Sequence, residues 1–262
     1  MRSAAVRRTA LAASAVGLAL LVTSCGGSSD DGAGDSDKAG GSGESTQAGK
    51  TAPGKALTSA ELAKVALVQA DVKSGTLTEK VPAKDDIAQS GVTSEDAACA
   101  PLAYLQAGSY VGEPVATVKR TWKGDVAKPA AGASEEDQFL ATLDLEQAVI
   151  TLASYEDGGA EQAMKDLNTS VDKCAAGFSF TVTGTKSDAL KVTKTAAPEG
   201  ADEALALTTT VDAGLKAPMK AVVVRKGSTV VYVPAVNFAS ASTGKDYDFP
   251  TEIIDAQLAK LG

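Results

Sequence analysis

Residues 160–174, AEQAMKDLNTSVDKC, carry the most regular helical pattern of the chain. Their apolar side chains recur at steps of three and four and would share one helix face: Ala160, Ala163, Met164, Leu167, Val171 and Cys174. From Phe178 onward the spacing changes to the alternation that is typical of strands. A long amphipathic helix followed by consecutive strands predicts a single α+β domain, with helices packed on an antiparallel β-sheet.

Five strands rich in Val, Thr and Phe are predicted after this helix, at 178–183, 191–194, 205–211, 220–226 and 229–236. The turn residues Gly227 and Ser228 predict a tight hairpin between the last two strands. Pro234 lacks an amide hydrogen, which favours an edge strand or a bulge at that position. Pro250 then opens a closing helix with Ile253 and Leu258 among its apolar positions.

The folded part is expected to start with a helix. Thr58 and Glu61 have the spacing of a capping box, in which hydroxyl and carboxylate bond the first free amides of a helix over 59–69. The stretch 71–94 that follows is polar, and we expect it to be irregular.

A second helix is predicted over 95–106. Pro101 is tolerated only in a first helical turn, so the regular part would begin near Ala100, with Cys99 at its start. Gly108 is a suitable residue to end it.

The centre of the chain is predicted to form strands. Residues 115–122 alternate, and 123–136 contain a proline and glycines that indicate a loop. Apolar residues alternate again over 139–145, and 148–154 continue in the same manner. We favour one long bent strand here over two separate strands.

The N-terminus has the organisation of an export signal. Arg2, Arg7 and Arg8 precede an apolar run over 10–22, which is shorter than the roughly 20 residues that a membrane-spanning helix needs. The run ends in Leu21-Val22-Thr23-Ser24-Cys25, which resembles a bacterial lipobox. That resemblance implies removal of residues 1–24 and attachment of lipid to Cys25. The alternative is an ordinary secretory signal in which Cys25 has no such role.

A polar tract separates this signal from the folded part. Residues 25–56 consist mostly of Gly, Ser, Asp, Ala and Thr, a composition that cannot bury a core and predicts a disordered tether. We therefore divide the chain into a signal peptide (1–24), a tether (25–56) and an α+β domain (57–262). Because lipoproteins of this kind carry several acyl chains, the cysteine would hold the chain firmly at the extracytoplasmic side of the cell membrane.

Composition removes several classes of function. The chain has no histidine, which excludes histidine-based catalytic triads and histidine zinc sites. Its net charge is −8, and an acidic protein is repelled by nucleic acid. Aromatic residues make up 4%, which weakens the case for a sugar-stacking platform. We expect no nucleic-acid partner, no cofactor and no metal site, and a monomer.

With Cys25 assigned to lipid, Cys99 and Cys174 remain. Two cysteines in an oxidising compartment favour a disulfide, and two buried free thiols are the alternative. A bridge closing a loop of about 75 residues would restrict the unfolded chain by roughly 4 kcal/mol in the chain-entropy model. A catalytic thiol is disfavoured because neither cysteine can have a histidine partner.

No residue pattern indicates catalysis. The acidic pairs, such as Asp85-Asp86 and Glu156-Asp157, fall in predicted loops or helix starts and fit a solvated surface. Serine is common, yet there is no Gly-x-Ser-x-Gly elbow. Trp122 beside Lys119 and Arg120 could mark a binding rim, but we favour a strand tryptophan packed beneath a helix.

Several segments together resemble the PknH-type extracellular sensor domain of actinobacteria. They are the opening helix 57–62, the Cys99-Ala100-Pro101-Leu102 segment, the block over 150–174, the Arg225-Lys226-Gly227 hairpin and the final helix over 257–261. The resemblance implies an α+β domain with an internal cleft for an extracytoplasmic ligand. Sensor domains of that kind in kinases carry four cysteines in two bridges, whereas this domain has only Cys99 and Cys174.

These observations favour a lipid-anchored, non-enzymatic binding or sensor-like domain. Its ligand would occupy an apolar cleft between sheet and helices, and a hydrophobic small molecule is the first candidate. The second hypothesis is a subunit that docks on another envelope protein without a small ligand. A hydrolase is the third, and it rests only on the abundance of serine and acidic residues.

Overall fold

The computed structural model describes residues 54–212 and 216–262, and within them the strands form one antiparallel nine-stranded sheet. Its order is β1-β3-β4-β9-β8-β7-β6-β5-β2. The strands are β1 (Thr76–Thr78), β2 (Val92–Ser94), β3 (Ala116–Lys123), β4 (Glu146–Ser154), β5 (Phe178–Val182), β6 (Thr185–Thr195), β7 (Glu203–Asp212), β8 (Lys216–Lys226) and β9 (Thr229–Asn237). The expected α+β class with an antiparallel sheet is confirmed.

Helices cover both faces of this sheet. In the described residues they are α1 (Ser59–Val65), α2 (Ala100–Gln106), α3 (Glu135–Leu143), α4 (Gly159–Lys173), α5 (Phe238–Thr243) and α6 (Thr251–Leu261). Helices α2 and α4 pack against each other on one face, and α1 and α6 pack against each other on the opposite face. We call these the α2/α4 face and the α1/α6 face.

Alternation along the central strands supplies a core to each face. On β9, Val230 and Tyr232 pack beneath α2 and α4, whereas Val231 and Val233 pack toward α1 and α6. All four side chains are fully buried. Because successive residues of a strand point to opposite sides, a strand buried on both faces shows a nearly continuous apolar sequence. This accounts for the unbroken Val-rich stretches of β8 and β9.

The elements with the strongest patterns lie where they were predicted. Helix α4 covers Gly159–Lys173, and its inward positions from Ala160 to Val171 are buried. Helix α2 begins at Ala100 with Pro101 in its first turn. The Thr58–Glu61 capping box is present, although α1 ends at Val65 rather than near residue 69.

The bent strand predicted over 139–154 is wrong in its first half. Residues 135–143 form α3, and the strand starts only at Glu146. The side chain of Ser134 caps this helix by accepting a hydrogen bond from the amide of Asp137 at 3.1 Å. Acidic residues fill the first turn, where they stabilise a helix through its dipole. Phe139, predicted to alternate within a strand, is 62% exposed on α3.

The edge or bulge expected at Pro234 is also wrong. Strand β9 lies inside the sheet between β4 and β8. The register between β9 and β4 is the same before and after the proline. Val149 and Ile150 of β4, however, have no paired residue on β9. Since Pro234 has no amide hydrogen to donate, the sheet accommodates it by a gap in this ladder, while the pairing with β8 continues through Ala221.

The stretch expected to be irregular, 71–94, contains the two outermost strands. Strand β1 pairs with β3, and β2 pairs with β5. Both strands have only three residues, too few for a periodic pattern to be recognised in the sequence.

The predicted signal peptide (1–24) and most of the predicted tether (25–56), including Cys25, lie outside the described residues. In the residues that are described, no helix has both the length and the apolar character to cross a membrane.

Candidate functional site

A groove of about 910 Å³ opens on the α2/α4 face, beyond the C-terminal end of α2. Its floor is formed by the ends of four strands, with Thr121 from β3, Val149 from β4, Met219 from β8 and Pro234 from β9. The side chains of these four residues point to the same side of the sheet as that of Tyr232, which packs in the core of the α2/α4 face. The groove therefore continues the sheet surface that α2 and α4 cover elsewhere.

The lining of the groove combines apolar and polar side chains. The apolar part includes Ile87, Val182 and Phe238. The polar part consists mainly of threonines, two lysines, one aspartate and two glutamines: Thr76, Thr78, Thr121, Thr183, Thr185, Lys84, Lys123, Asp85, Gln106 and Gln147. Such a surface suits an amphipathic molecule better than a purely hydrocarbon one.

One corner of the groove depends on the end of α2. Gly108 has φ +66°, and a Cβ atom there would lie 2.9 Å from the side chain of Val149. Only glycine allows this backbone conformation at such close approach. The carbonyl of Gly108 accepts a hydrogen bond from the Thr151 hydroxyl at 2.8 Å, which joins the end of the helix to β4.

Gln106, at the last position of α2, has an incomplete set of hydrogen bonds. Its Nε2 donates to the hydroxyl of Thr209 at 2.9 Å, and its Oε1 has no partner. Gln106 is 7% exposed and Thr209 is fully buried. A buried acceptor without a partner costs on the order of 1–3 kcal/mol, and this oxygen is enclosed by protein.

The outer wall of the groove is formed by residues 79–88, which we call the strap. Pro82, Lys84, Asp85 and Ile87 of the strap line the groove. Other strap residues line a second cavity of about 470 Å³ on its far side, together with Tyr110 and Lys119: Glu79, Lys80, Val81, Asp86 and Ala88. The strap thus separates two cavities.

Two cationic side chains of β3 hold the strap. The ammonium group of Lys119 donates to the carbonyl of Ile87 at 2.6 Å and lies 3.0 Å from the carboxylate of Asp86. The guanidinium group of Arg120 donates to the carbonyl of Glu79 at 3.1 Å and also to that of Leu67 at 3.1 Å. Lys119 and Arg120 therefore hold the backbone of the strap in place, a role that the sequence did not indicate.

Trp122 is buried, as favoured from the sequence, and it also belongs to the groove lining. The side chain is 4% exposed and packs in the core of the α1/α6 face. Its indole N–H donates to the carbonyl of Ser74 at 2.9 Å. Trp122 is the only tryptophan of the chain, and its side chain lies on the opposite face of β3 from that of Thr121.

Cys99 and Cys174 form a disulfide in this structure, with their Cα atoms 5.9 Å apart. Both cysteines are almost fully buried in the core of the α2/α4 face. The bridge joins the start of α2 to the end of α4, so it fixes the helix whose other end shapes the groove.

The acidic pairs weighed in the sequence do not converge. Asp85 and Asp86 lie on the strap, whereas Glu135, Glu136 and Asp137 form the first turn of α3. Across the described residues there is no cluster of three or more His, Cys, Asp or Glu that could hold a metal ion.

Sequence reasoning did not identify the groove or Gln106. A polar residue in the last turn of a short helix carries no distinctive signal, and its partner Thr209 is about 100 residues away in sequence. The threonines of the lining come from strands that are far apart in the chain. Only Trp122 had been considered as a residue at a binding rim.

Comparisons with known proteins give structural likeness at low identity. No family model and no curated protein matches the sequence. Among solved structures, the chain is similar to the extracellular domain of PknH from Mycobacterium tuberculosis, at 12% identity and a TM-score of 0.41, over 79% of this chain and 95% of that one. It is also similar to the Rv0999 ortholog from Mycobacterium smegmatis, at 14% identity and a TM-score of 0.34, over 76% of this chain and 96% of that one. The resemblance to PknH inferred from sequence segments is thus also found by comparison of structures.

Proposed function

We propose that this protein is a non-catalytic, sensor-like binding domain held at the extracytoplasmic side of the membrane by lipid on Cys25. Its binding site is the groove at the end of α2. The single observation that carries the proposal is the groove itself, about 910 Å³ of space on a sheet face that is filled elsewhere. Volumes of about 300–1,000 Å³ are typical of small-molecule sites.

The ligand we propose is a small amphipathic molecule. The apolar side chains of the floor would contact its hydrocarbon part, and the threonines would bond its polar groups. This refines the hydrophobic ligand expected from the sequence, because the lining contains more hydroxyl and amide groups than an apolar cleft would.

The groove lies away from the point where the N-terminal segment joins the domain. The hydroxyl of Ser228, in the β8–β9 turn, donates to the carbonyl of Lys55 at 3.0 Å, so the N-terminal segment joins the domain at that turn. The groove residues Pro234 and Val236 lie further along β9. At about 3.3 Å per residue the groove is roughly 20 Å from the point of attachment.

Native mass spectrometry of protein purified from its own membranes tests this function. We expect a retained small molecule in the wild type and its loss in Thr121→Tyr, which fills the floor of the groove. Thr117→Tyr is the matched control, because Thr117 lies on the same strand and side but outside the groove lining. Repeated absence of any adduct in the wild type would contradict the proposal.

The anchor is tested by Cys25→Ala. We expect this variant to move from the membrane fraction to the soluble fraction, while Ser28→Ala stays with the membrane. Unchanged partitioning of Cys25→Ala would contradict lipid attachment at this residue.

A second candidate function, docking on another envelope protein, is favoured by exposed aromatic side chains. Phe139 of α3 is 62% exposed and Phe238 of α5 is 48% exposed, and the two helices contact each other. Large apolar side chains exposed on neighbouring elements are a feature of interaction surfaces. Cross-linking in intact cells that is lost in Phe139→Ser, with ligand retention unchanged, would favour this function over the first.

A further inference from the structure

We propose that residues 116–119 of β3, which we call the open edge, are a docking site for an extended segment of another protein. The segment would add to the sheet as a further strand beside β3. The open edge lies outside the groove, so this inference goes beyond the proposed function and does not depend on it. Thr117 and Lys119 of the open edge line the cavity of about 470 Å³ on the far side of the strap.

The open edge exists because β1 is much shorter than β3. Strand β3 has eight residues and pairs with β4 along all of them, whereas the three residues of β1 pair only with residues 121–123. After Thr78 the chain leaves the sheet and continues as the strap. Residues 116–119 therefore have a neighbouring strand on one side only.

Two residues of the open edge direct backbone groups outward. The amide of Gly124 donates to the carbonyl of Glu146 at 2.8 Å, so even-numbered residues of β3 bond to β4 and odd-numbered residues face the other way. The carbonyl of Lys119 accepts a bond from Nη1 of Arg120 at 3.0 Å. Within the described residues, the amide and carbonyl of Thr117 and the amide of Lys119 have no hydrogen-bond partner. An extended main chain offers donors and acceptors at the matching spacing.

The open edge also lacks the protection that exposed strand edges usually have. Natural edge strands carry charged side chains or prolines that prevent pairing with another chain. The only charge in the open edge belongs to Lys119, whose side chain is 9% exposed and is bonded to the strap. Strand β6 gives a contrast, because its residues after Ala189 are not paired with β5 and include the exposed Lys191 and Lys194. The sheet thus protects one free edge with charges and leaves the other available.

The neighbouring side chains indicate the chemistry of the partner segment. Val118 is half-buried and packs against the core of the α1/α6 face, so an apolar or β-branched residue of the added strand would cover it. Val115, directly before β3, is 52% exposed and offers a second apolar contact. Residues 26–53 of this chain are a poorer occupant, because they are rich in Gly and Asp, which are depleted in strands. The partner segment is therefore strand-forming, with an apolar residue beside Val118.

The probe is a fluorescein-labelled five-residue peptide of alternating threonine and valine. It is N-methylated at its two valines, so that only one of its edges can pair and it does not associate with itself. The control is the same peptide N-methylated at every residue, which cannot donate main-chain hydrogen bonds. Fluorescence anisotropy measures the binding of both peptides to the full chain. We expect the control peptide to bind at least about tenfold more weakly than the probe. Failure of the probe to bind, or equal affinities of the two peptides, would overturn the inference.

Two matched proline substitutions locate the site. Thr117→Pro removes an outward amide that makes no bond within the sheet, and proline is tolerated at such positions of edge strands. We expect it to weaken binding of the probe at least about fivefold, the value of one net hydrogen bond.

Lys194→Pro is the control, because it removes an outward amide from the other free edge. The amide of Val192, two residues earlier on β6, donates to the carbonyl of Ala175 at 3.0 Å, so the amide of Lys194 also points away from β7. The affinity of this variant for the probe should be unchanged. Unchanged affinity in a folded Thr117→Pro, or an equal loss in Lys194→Pro, would overturn the inference.

Amide hydrogen exchange of the wild type keeps the proposal testable if Thr117→Pro does not fold. In the full chain alone, the amides of Thr117 and Lys119 should exchange fast. The probe should slow both, and it should leave the amide of Lys194 unchanged. Exchange at Thr117 that the bound probe does not slow would overturn the inference. Protection of Thr117 without the probe would also overturn it: loss of that protection on dilution would identify a second copy as the occupant, and loss on deletion of residues 26–53 would identify this chain's own segment.

Discussion

The hydroxyl of Tyr155 lies 2.7 Å from the hydroxyl of Tyr232 and donates to the carbonyl of Val111 at 2.7 Å. Since a phenol has one hydrogen, Tyr232 must be the donor to Tyr155. Both side chains are buried in the core of the α2/α4 face. Burial raises the pKa of Tyr232 to about 12, and burial followed by the neighbouring Tyr232 raises that of Tyr155.

This pair predicts loss of stability in alkali. The raised pKa of Tyr232 means that the folded protein keeps its proton while the unfolded chain, with a tyrosine pKa of about 10, releases it. The contribution is fully present below pH about 10 and is lost as the pH rises toward 12, at about 1.4 kcal/mol per pH unit. Urea unfolding of the wild type between pH 8 and 11.5 would measure the summed slope of three tyrosines, because burial also raises the pKa values of Tyr155 and Tyr247.

Tyr232→Phe tests the assignment of that slope. The variant should lose about 1 kcal/mol at neutral pH, because the hydrogen bond to Tyr155 is absent. Above pH about 10 its unfolding free energy should fall less steeply than that of the wild type. The two slopes should differ by the contribution of one tyrosine, about 1.4 kcal/mol per pH unit. Parallel curves for the two proteins would contradict a raised pKa at Tyr232.

The disulfide predicts a larger effect that does not depend on pH. Removing the bridge, which closes a loop with a sequence separation of 75, should lower the unfolding free energy by roughly 4 kcal/mol in the double variant Cys99→Ala, Cys174→Ala. Chemical denaturation measures this, with Cys25→Ala as the control that leaves the domain unchanged. Non-reducing mass analysis should also find the two cysteine peptides joined and two protons lighter. Free thiols in the purified protein would contradict the bridge.

The fold was predictable where a segment is long and has a single pattern. Helix α4 has inward residues at regular helical steps, and β8 and β9 each contain a Val-rich run on either side of the Gly227-Ser228 turn. Prediction from a local sequence pattern is wrong where tertiary contacts determine the conformation. The gap in the ladder at Pro234 is tolerated because β9 still pairs with β8 along its length.

The candidate site was not predictable from the same patterns. The groove exists because the strap, the end of α2 and four strand ends meet, and Pro82 of the strap and Val236 of β9 are 154 residues apart in sequence. Gln106, which lines the groove, is distinguished only by a hydrogen-bond partner on β7 and by a buried oxygen without one. The anchor at Cys25, by contrast, is predicted entirely from local sequence.

The helix found at 135–143 instead of a strand can be tested directly. In a half-buried strand, Phe139 and Leu145 would share the inward face, and a charge at either would be costly. In the structure Phe139 is 62% exposed and Leu145 is 5% exposed. Phe139→Asp should therefore change the unfolding free energy by no more than about 0.5 kcal/mol, whereas Leu145→Asp should cost more than about 2 kcal/mol. Equal costs at the two positions would favour the strand.

The strap provides the last prediction, because its attachment to β3 depends on few side chains. Lys119→Met removes the bond to the carbonyl of Ile87 and the contact with Asp86, and the apolar part of the side chain is kept. We expect faster amide hydrogen exchange within residues 79–88, since local opening becomes easier, with the exchange of β4 and β9 unchanged.

Lys123→Met is the control for this experiment. Lys123 lies four residues further along β3, on the same side of the strand, and it lines the groove but is exposed. Its substitution removes the same charge from the same side of the strand, so a general electrostatic effect would appear in both variants. If the two variants exchange alike throughout the strap, Lys119 does not hold it, and the wall of the groove owes its position to the backbone of the strap and to Arg120 alone.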